Sequence, residues 1–279
     1  MNPPSLMVRL VAGAPNDALL RLTVDLAARL KATRVIGISA CQPLQLYTSP
    51  DAYVPPDLIN WDLDQMEKEL KAAEKSFRAA LEGKAQSLEW RSTIITFGTI
   101  ADYVADQMRA ADILITRGAE GASLFGSDRH VNLADLILKA GRPVLVVGAG
   151  VDKVDLRNVV IGWKDTREAR RAAEDALPLL ELADRVTVVE VASQEDLDSA
   201  HTRTEDVAAW LERRGISASA CAVRAVDDDP TEIADLTKEL GAGLLVGGAY
   251  GHTRVREWVL GGVTRDLLLR PTGCSLVSH

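Results

Sequence analysis

The sequence predicts an α/β protein of two tandem doubly wound domains, each with a five-stranded parallel sheet flanked by helices. Three observations carry this expectation. Short apolar runs alternate with longer segments whose apolar residues recur at three- and four-residue spacing, the marks of buried strands and of helices packed by one face. The order of these runs occurs twice along the chain, which makes duplication the first feature to explain. The length of 279 residues also suits two domains of ~100–200 residues better than one. Strands separated by helices require right-handed βαβ crossovers, hence parallel sheets covered on both faces.

Taken in order, Val8 to Gly13 reads as a first buried strand and Asp17 to Leu30 as an amphipathic helix. A second strand is expected over Arg34 to Ser39. A polar, proline-punctuated loop follows to Asn60, then a charged amphipathic helix over Asp62 to Leu81. Ser87 to Thr96 reads as a third strand, Ile100 to Met108 as a helix and Asp112 to Thr116 as a fourth strand. A helix over Leu133 to Ala140 and the strand Pro143 to Val147 complete the first set. Gly148-Ala149-Gly150-Val151-Asp152 reads as a linker between domains 1–150 and 151–279.

From Asn158 the order begins again. Asn158 to Trp163 repeats the first strand, and Arg185 to Glu190 the second. Leu244 to Gly247 answers Leu114 to Arg117 at an offset of 130 residues, as Cys274 to Val277 answers Val144 to Val147, whereas the first strands are offset by 150. The difference assigns about 20 extra residues to domain 1, around Pro50 to Leu81.

The net charge of −8 disfavours non-specific contact with nucleic acid or anionic membrane, because the long-range field repels phosphate. No apolar run approaches the ~18 residues of a membrane span. The opening residues Met1-Asn2-Pro3-Pro4 lack the basic flank and apolar core of a signal peptide, so a cytoplasmic location is expected. Cys41, Cys221 and Cys274 lie among apolar residues without C-x-x-C spacing and read as buried free thiols. The four histidines, His130, His201, His252 and His279, have no His or Cys partner at i,i+4, which speaks against a metal site. Asp227-Asp228-Asp229 before Pro230 reads as a solvated turn, with Asp229 or Thr231 capping a helix from Glu232.

The chemistry concentrates after the fourth strand of domain 2. Gly248-Ala249-Tyr250-Gly251 is followed by nine residues, His252 to Leu260, and then by Gly261-Gly262-Val263-Thr264 at the head of an expected helix. In an open parallel sheet, ligands bind outside the carboxyl ends of the strands, where this segment lies. Glycines let the backbone approach a phosphate, and free N–H groups at a helix start supply donors. Domain 1 carries a net charge of −1 and domain 2 one of −7. Within acidic domain 2, Arg254, Arg256, Arg265 and Arg270 make residues 248–270 locally basic. A glycine-containing connection with a solvated arginine face is the other reading of the same spacing.

The Gly248-x-x-Gly251-nine residues-Gly261 spacing, its place after the fourth strand and the duplicated five-strand order resemble the universal stress protein family in its tandem form. The resemblance covers essentially the whole chain. Last strands of the family commonly pair across a dimer, so the resemblance implies that Val144 to Val147 and Leu276-Val277 pair within this chain, burying both edges as an intramolecular pseudo-dimer, with a homodimer of such chains as a further level of assembly. It implies a bound adenine nucleotide, ATP first, with or without Mg²⁺, and a role in stress tolerance or signalling rather than a metabolic reaction. It places the phosphates on Gly248, Gly251, Gly261, Gly262, Val263 and Thr264 and the base beside Val191. Two positions depart from the pattern. Gly262 stands where the family has a hydroxyl residue, a loss of one phosphate hydrogen bond of ~1.5–3 kcal/mol. Where the first strand of the family ends in an Asp, this chain has Trp163-Lys164-Asp165-Thr166, which puts Lys164 at that position and displaces Asp165 by one. Lys164, His252, Arg254 and Arg256 are candidates for phosphate contact.

In domain 1, Gly118-Ala119-Glu120-Gly121 keeps two glycines, but Val131, Asn132 and Ala134 answer Gly261, Gly262 and Thr264, and Asp128 and Asp135 oppose a phosphate. Domain 1 thus reads as a degenerate copy. No G-x-S-x-G elbow, Walker loop or dinucleotide fingerprint is present. No catalytic residue is assigned, and any hydrolysis would be slow. The leading expectation is a stress protein holding an adenine nucleotide in domain 2. The alternatives are a scaffold of the same fold acting through protein partners and, more remotely, an adenylating α/β enzyme.

Overall fold

A computed structural model describes residues 3–43, 56–118, 131–225, 229–249 and 273–279. The first half runs β1 (Ser5–Arg9), α1 (Asp17–Arg29), β2 (Arg34–Cys41), α2 (Pro56–Leu81), β3 (Ser87–Ile94), α3 (Ile100–Gln107), β4 (Ile113–Arg117), α4 (Leu133–Ala140) and β5 (Val144–Val147). The second runs β6 (Asn158–Gly162), α5 (Arg167–Asp175), α6 (Leu177–Leu180), β7 (Arg185–Ala192), α7 (Leu197–Glu212), β8 (Ala218–Arg224), α8 (Asp229–Glu239), β9 (Leu244–Gly248) and β10 (Cys274–Ser278). Each half forms a parallel five-stranded sheet, ordered β3-β2-β1-β4-β5 and β8-β7-β6-β9-β10.

The two sheets fuse. β5 and β10 pair antiparallel, with Leu276 opposite Leu145 and Val277 opposite Val144, so the chain holds one continuous ten-stranded sheet. All four side chains are buried, each contributing about 1.5–3 kcal/mol of apolar burial. The linker is fastened as well. The Gly148 N–H donates to the Gly273 carbonyl at 2.9 Å, Arg21 pairs with Asp152 at 3.1 Å, and Val154 and Leu156 are buried in the shared core. Expressed alone, each half would expose its seam strand; the halves expressed together are expected to co-purify as one complex by size exclusion. Soluble monomeric halves without mutual affinity would contradict the seam.

Local chemistry explains where observed elements depart from expectation. The first strand occupies Ser5–Arg9, three residues earlier than the apolar run Val8 to Gly13 suggests. The Asn16 side chain accepts from the Val11 N–H at 3.1 Å and donates to the carbonyls of Val11 and Ala14, folding the run Val11 to Ala14 into a turn. α2 begins at Pro56 rather than Asp62, since proline lacks only an N–H that the first turn leaves unpaired. α8 starts at Asp229, so Pro230 and Thr231 lie inside the helix rather than before it. Cys41 and Cys274 are buried, but Cys221 is only half-buried. Among the described residues no helix is long and apolar enough to cross a membrane.

Strand register also corrects the repeat. Leu6 on β1 pairs with Ile113 on β4, and Val159 on β6 pairs with Leu244 on β9. Leu6 and Val159 are therefore equivalent, an offset of 153 rather than 150. The helices that follow, capped at Asn16 and Thr166, keep the offset of 150. Domain 1 has three more residues than domain 2 between its first strand and first helix.

Candidate functional site

The order of a doubly wound sheet reverses between its first and fourth strands, and the crevice beyond their carboxyl ends is where ligands bind. In domain 2 those strands are β6 and β9, and Gly162 pairs with Gly247 at the mouth. Both lie on the face where Val160 and Leu245 pack against Ile233 and Leu236 of α8. Among the described residues a Cβ on Gly247 would meet nothing within 4 Å, and one on Gly162 would make only ordinary contact with Ile233 at 3.6 Å and the Val246 carbonyl at 3.7 Å. As far as the described residues go, the crevice floor is backbone. Val191, buried near the end of β7, shares this face.

Gly248 has a different task. Its Cβ would lie 2.4 Å from the Glu168 carbonyl carbon and 2.5 Å from the Ala169 nitrogen. Glycine there lets the first turn of α5 rest on β9. Thr166 caps that turn, accepting from the Ala169 N–H at 3.2 Å. Gly162 and Gly247, which open the crevice, were not singled out by motif spacing. The signal was available in the sequence as glycines closing the first and fourth strands.

The rim is charged. The Trp163 N–H donates to the Val189 carbonyl at 2.7 Å, so Trp163 stays in register just past β6 and Lys164 follows it, exposed. Asp165, one residue on, pairs with Arg170. Arg203 on α7 donates to the buried Glu190 of β7 at 2.7 Å and to Asp196 at 2.7 Å. The Arg203 hydrogen bond holds the Asp196 carboxyl below its ordinary value, with a smaller contribution from Lys164. Glu168 is buried; burial pushes its carboxyl up, but the hydrogen bond from Arg167 leads the opposing effects that leave it lowered. The remaining predicted contacts, Gly251, His252, Arg254, Arg256, Gly261, Gly262, Val263 and Thr264, lie outside the described residues. Among the described residues no cluster of His, Cys, Asp and Glu could hold a metal ion.

Domain 1 fills the same crevice. By register, Arg9 and Thr116 occupy the places of Gly162 and Gly247, and Arg117 that of Gly248. Gly118 therefore answers Ala249 rather than Gly248; its N–H donates to the Val147 carbonyl as that of Ala249 does to Ser278. Arg9 is 3% exposed, and burial lowers its guanidinium to about 10. Thr116 is fully buried. α2 closes the strand ends from the other face, where Met66 and Leu70 pack on Ala12 and Cys41. A Cβ on Gly13 would come within 2.9 Å of the Glu69 carboxylate. Asn132 caps α4 by accepting from the Asp135 N–H at 3.2 Å, and Asp135 pairs with Lys139. Gly121 and Asp128 lie outside the described residues.

No protein-family model and no curated protein matches this chain. Solved structures do. A universal stress protein from Archaeoglobus fulgidus aligns at a TM-score of 0.74 and 14% identity, covering 99% of this chain and 96% of its own. A putative universal stress protein from Pseudomonas aeruginosa aligns at 0.64 and 13%, covering 99% and 93%. A protein of unknown function from Pseudomonas aeruginosa aligns at 0.60 and 13%, covering 99% and 92%. At these identities the likeness is one of fold, and it spans both halves.

Proposed function

We propose that this chain, which has the fold of a two-domain universal stress protein, belongs to that family and holds an adenine nucleotide in domain 2 alone, in a regulatory or protective role. One observation carries the reading. At equivalent positions of the two crevices, domain 2 has Gly162 and Gly247 and domain 1 has Arg9 and Thr116, so among the described residues the strand ends carry no side chain in domain 2 and two in domain 1. The base would lie over Val191 and Gly162. The phosphates, of ATP first and with or without Mg²⁺, would lie along Gly251, Gly261, Gly262, Val263 and Thr264. Lys164, Arg254, Arg256 and His252 supply positive or hydrogen-bonding groups, and the negative charge of the outer phosphates favours them. Such a site retains a ligand and signals occupancy; no residue is assigned to hydrolysis.

Gly247→Val tests the reading without disturbing the fold among the described residues, because none of them lies within 4 Å of its Cβ and a strand suits valine. Calorimetric titration of the parent chain is expected to give one site, with affinity falling from ATP to ADP to AMP. Gly247→Val should abolish that heat at an unchanged melting temperature, while Thr116→Val in domain 1 keeps it. Unchanged binding by folded Gly247→Val would overturn the assignment. Lys164 in place of an acidic strand-end residue, with Gly262 in place of a hydroxyl, favours the second reading, a scaffold acting through protein partners. A ligand at 100 times its Kd stabilises the native state by about 2.7 kcal/mol. The absence of a thermal shift with millimolar ATP, ADP or AMP, with and without Mg²⁺, would select the scaffold.

A further inference from the structure

Among the described residues the ten-stranded sheet has two open edges, β3 and β8, because the seam consumes β5 and β10. The edges differ in chemistry. β3 carries Glu89 and Arg91, paired with each other, and Glu89 also pairs with Arg34 of β2; charges of this kind guard an edge. β8 reads Ala218-Ser219-Ala220-Cys221-Ala222-Val223-Arg224, with no proline and no charge before its last residue. An unguarded edge is a template for strand addition.

The ladder identifies the groups on offer. The Val186 N–H donates to the Ser217 carbonyl, and the Ala225 N–H to the Ala192 carbonyl. Alternate residues of a parallel strand bond to one neighbour, so the odd-numbered residues of this stretch bond to β7. The backbone groups of Ala218, Ala220, Ala222 and Arg224 point away from the sheet. α8 packs over β7 rather than over β8, leaving Cys221 half-buried on that face. On the other face Ala218 and Ala220, with Trp210 of α7, are half-buried apolar groups at the margin of the core.

We propose that a second copy of this chain docks on this edge, its β8 pairing antiparallel with the first about a twofold axis at Cys221. Three features favour a second copy over a foreign strand. Cys221 is the midpoint of β8, and about it outward-facing residues meet outward-facing residues, Ala220 opposite Ala222 and Ala218 opposite Arg224. No like charges meet, since the two Arg224 side chains lie at opposite ends. The chain already uses this arrangement once, where the equivalent strands β5 and β10 pair antiparallel. In this register Cys221 faces its counterpart in a non-hydrogen-bonded pair, with Cα atoms about 4.5 Å apart, inside the ~4.4–6.8 Å range of a disulfide. The proposal is independent of nucleotide binding.

The test uses the full chain. Sedimentation velocity is expected to give a dimer. Diamide takes two electrons and two protons from a pair of thiols; an alkaline buffer is chosen because burial pushes the Cys221 thiol up. Non-reducing electrophoresis is then expected to show a linked dimer that survives Cys41→Ser/Cys274→Ser. The link should vanish in Cys221→Ser, which still sediments as a dimer. Ala220→Glu/Ala222→Glu sets like charges directly opposite each other and should sediment as a monomer with an unchanged circular dichroism spectrum. A monomeric parent chain overturns the proposal, as does a dimer that the folded double variant leaves intact or that diamide does not link. Should the double variant misfold, the Cys221 link decides alone.

Discussion

Replacing Arg203 with alanine is expected to destabilise the protein by about 3–5 kcal/mol, the range for removing one partner of a buried ion pair. The Glu190 side chain is 4% exposed on β7, and Arg203 reaches it through Nε at 3.1 Å and Nη2 at 2.7 Å. Without the guanidinium the carboxylate stays buried without the hydrogen bonds that Arg203 donates. Glu190→Leu/Arg203→Met removes both charges and should recover most of the loss, because apolar replacement of a buried pair is often neutral. Urea denaturation of the single and double variants measures the coupling. A loss below about 1 kcal/mol in Arg203→Ala would show that water reaches Glu190. Arg203 also shapes the acid limb through Asp196. Arg203 lowers the Asp196 carboxyl, so that contribution is full above the ordinary carboxylate range and is lost as pH falls through the lowered value. In Arg203→Ala this part of the acid dependence should disappear.

Gly248→Ala is expected to cost about 3 kcal/mol, at the upper end of what overpacking costs. Gly247→Ala should stay within about 1 kcal/mol of the parent and lean toward stabilisation, since it restricts the unfolded chain without strain. The residues are adjacent and have opposite surroundings. A methyl on Gly248 meets the backbone of Glu168 and Ala169 at 2.4–2.5 Å, and only movement of α5 off β9 relieves it. A methyl on Gly247 meets none of the described residues within 4 Å. Denaturation midpoints of the two variants, with equal m-values, check the contrast. Similar stability of both would show that α5 is not seated on β9. Because α5 starts at the crevice rim, Gly248→Ala should also weaken any ligand of domain 2, whereas Gly247→Ala probes the crevice itself.

The class and the duplication are legible in the sequence. Buried parallel strands are continuous apolar runs between amphipathic helices, and that pattern survives without any contact being known. It placed α1 and α4 to within a residue, whereas the pairing of Val144–Val147 with Cys274–Val277 came from the family resemblance and is seen in the fold. Register was beyond the pattern. In Val8 to Gly13 every residue is apolar except Arg9, so nothing in the run says where the ladder stops; the Asn16 side chain, bonded to Val11, ends it earlier. A slip of one residue in β4 then aligned Gly118 with Gly248, hiding Arg117 behind a glycine motif. Only the tertiary structure decided which glycine bares the crevice and which seats a helix, because that depends on which face of β9 each residue presents and what packs there. It alone decided that domain 1 is closed twice over, by Arg9 from within its sheet and by α2 from above. The contacts of α2 with Ala12 and Gly13 join residues more than fifty positions apart, a separation at which spacing along the chain carries no information about distance.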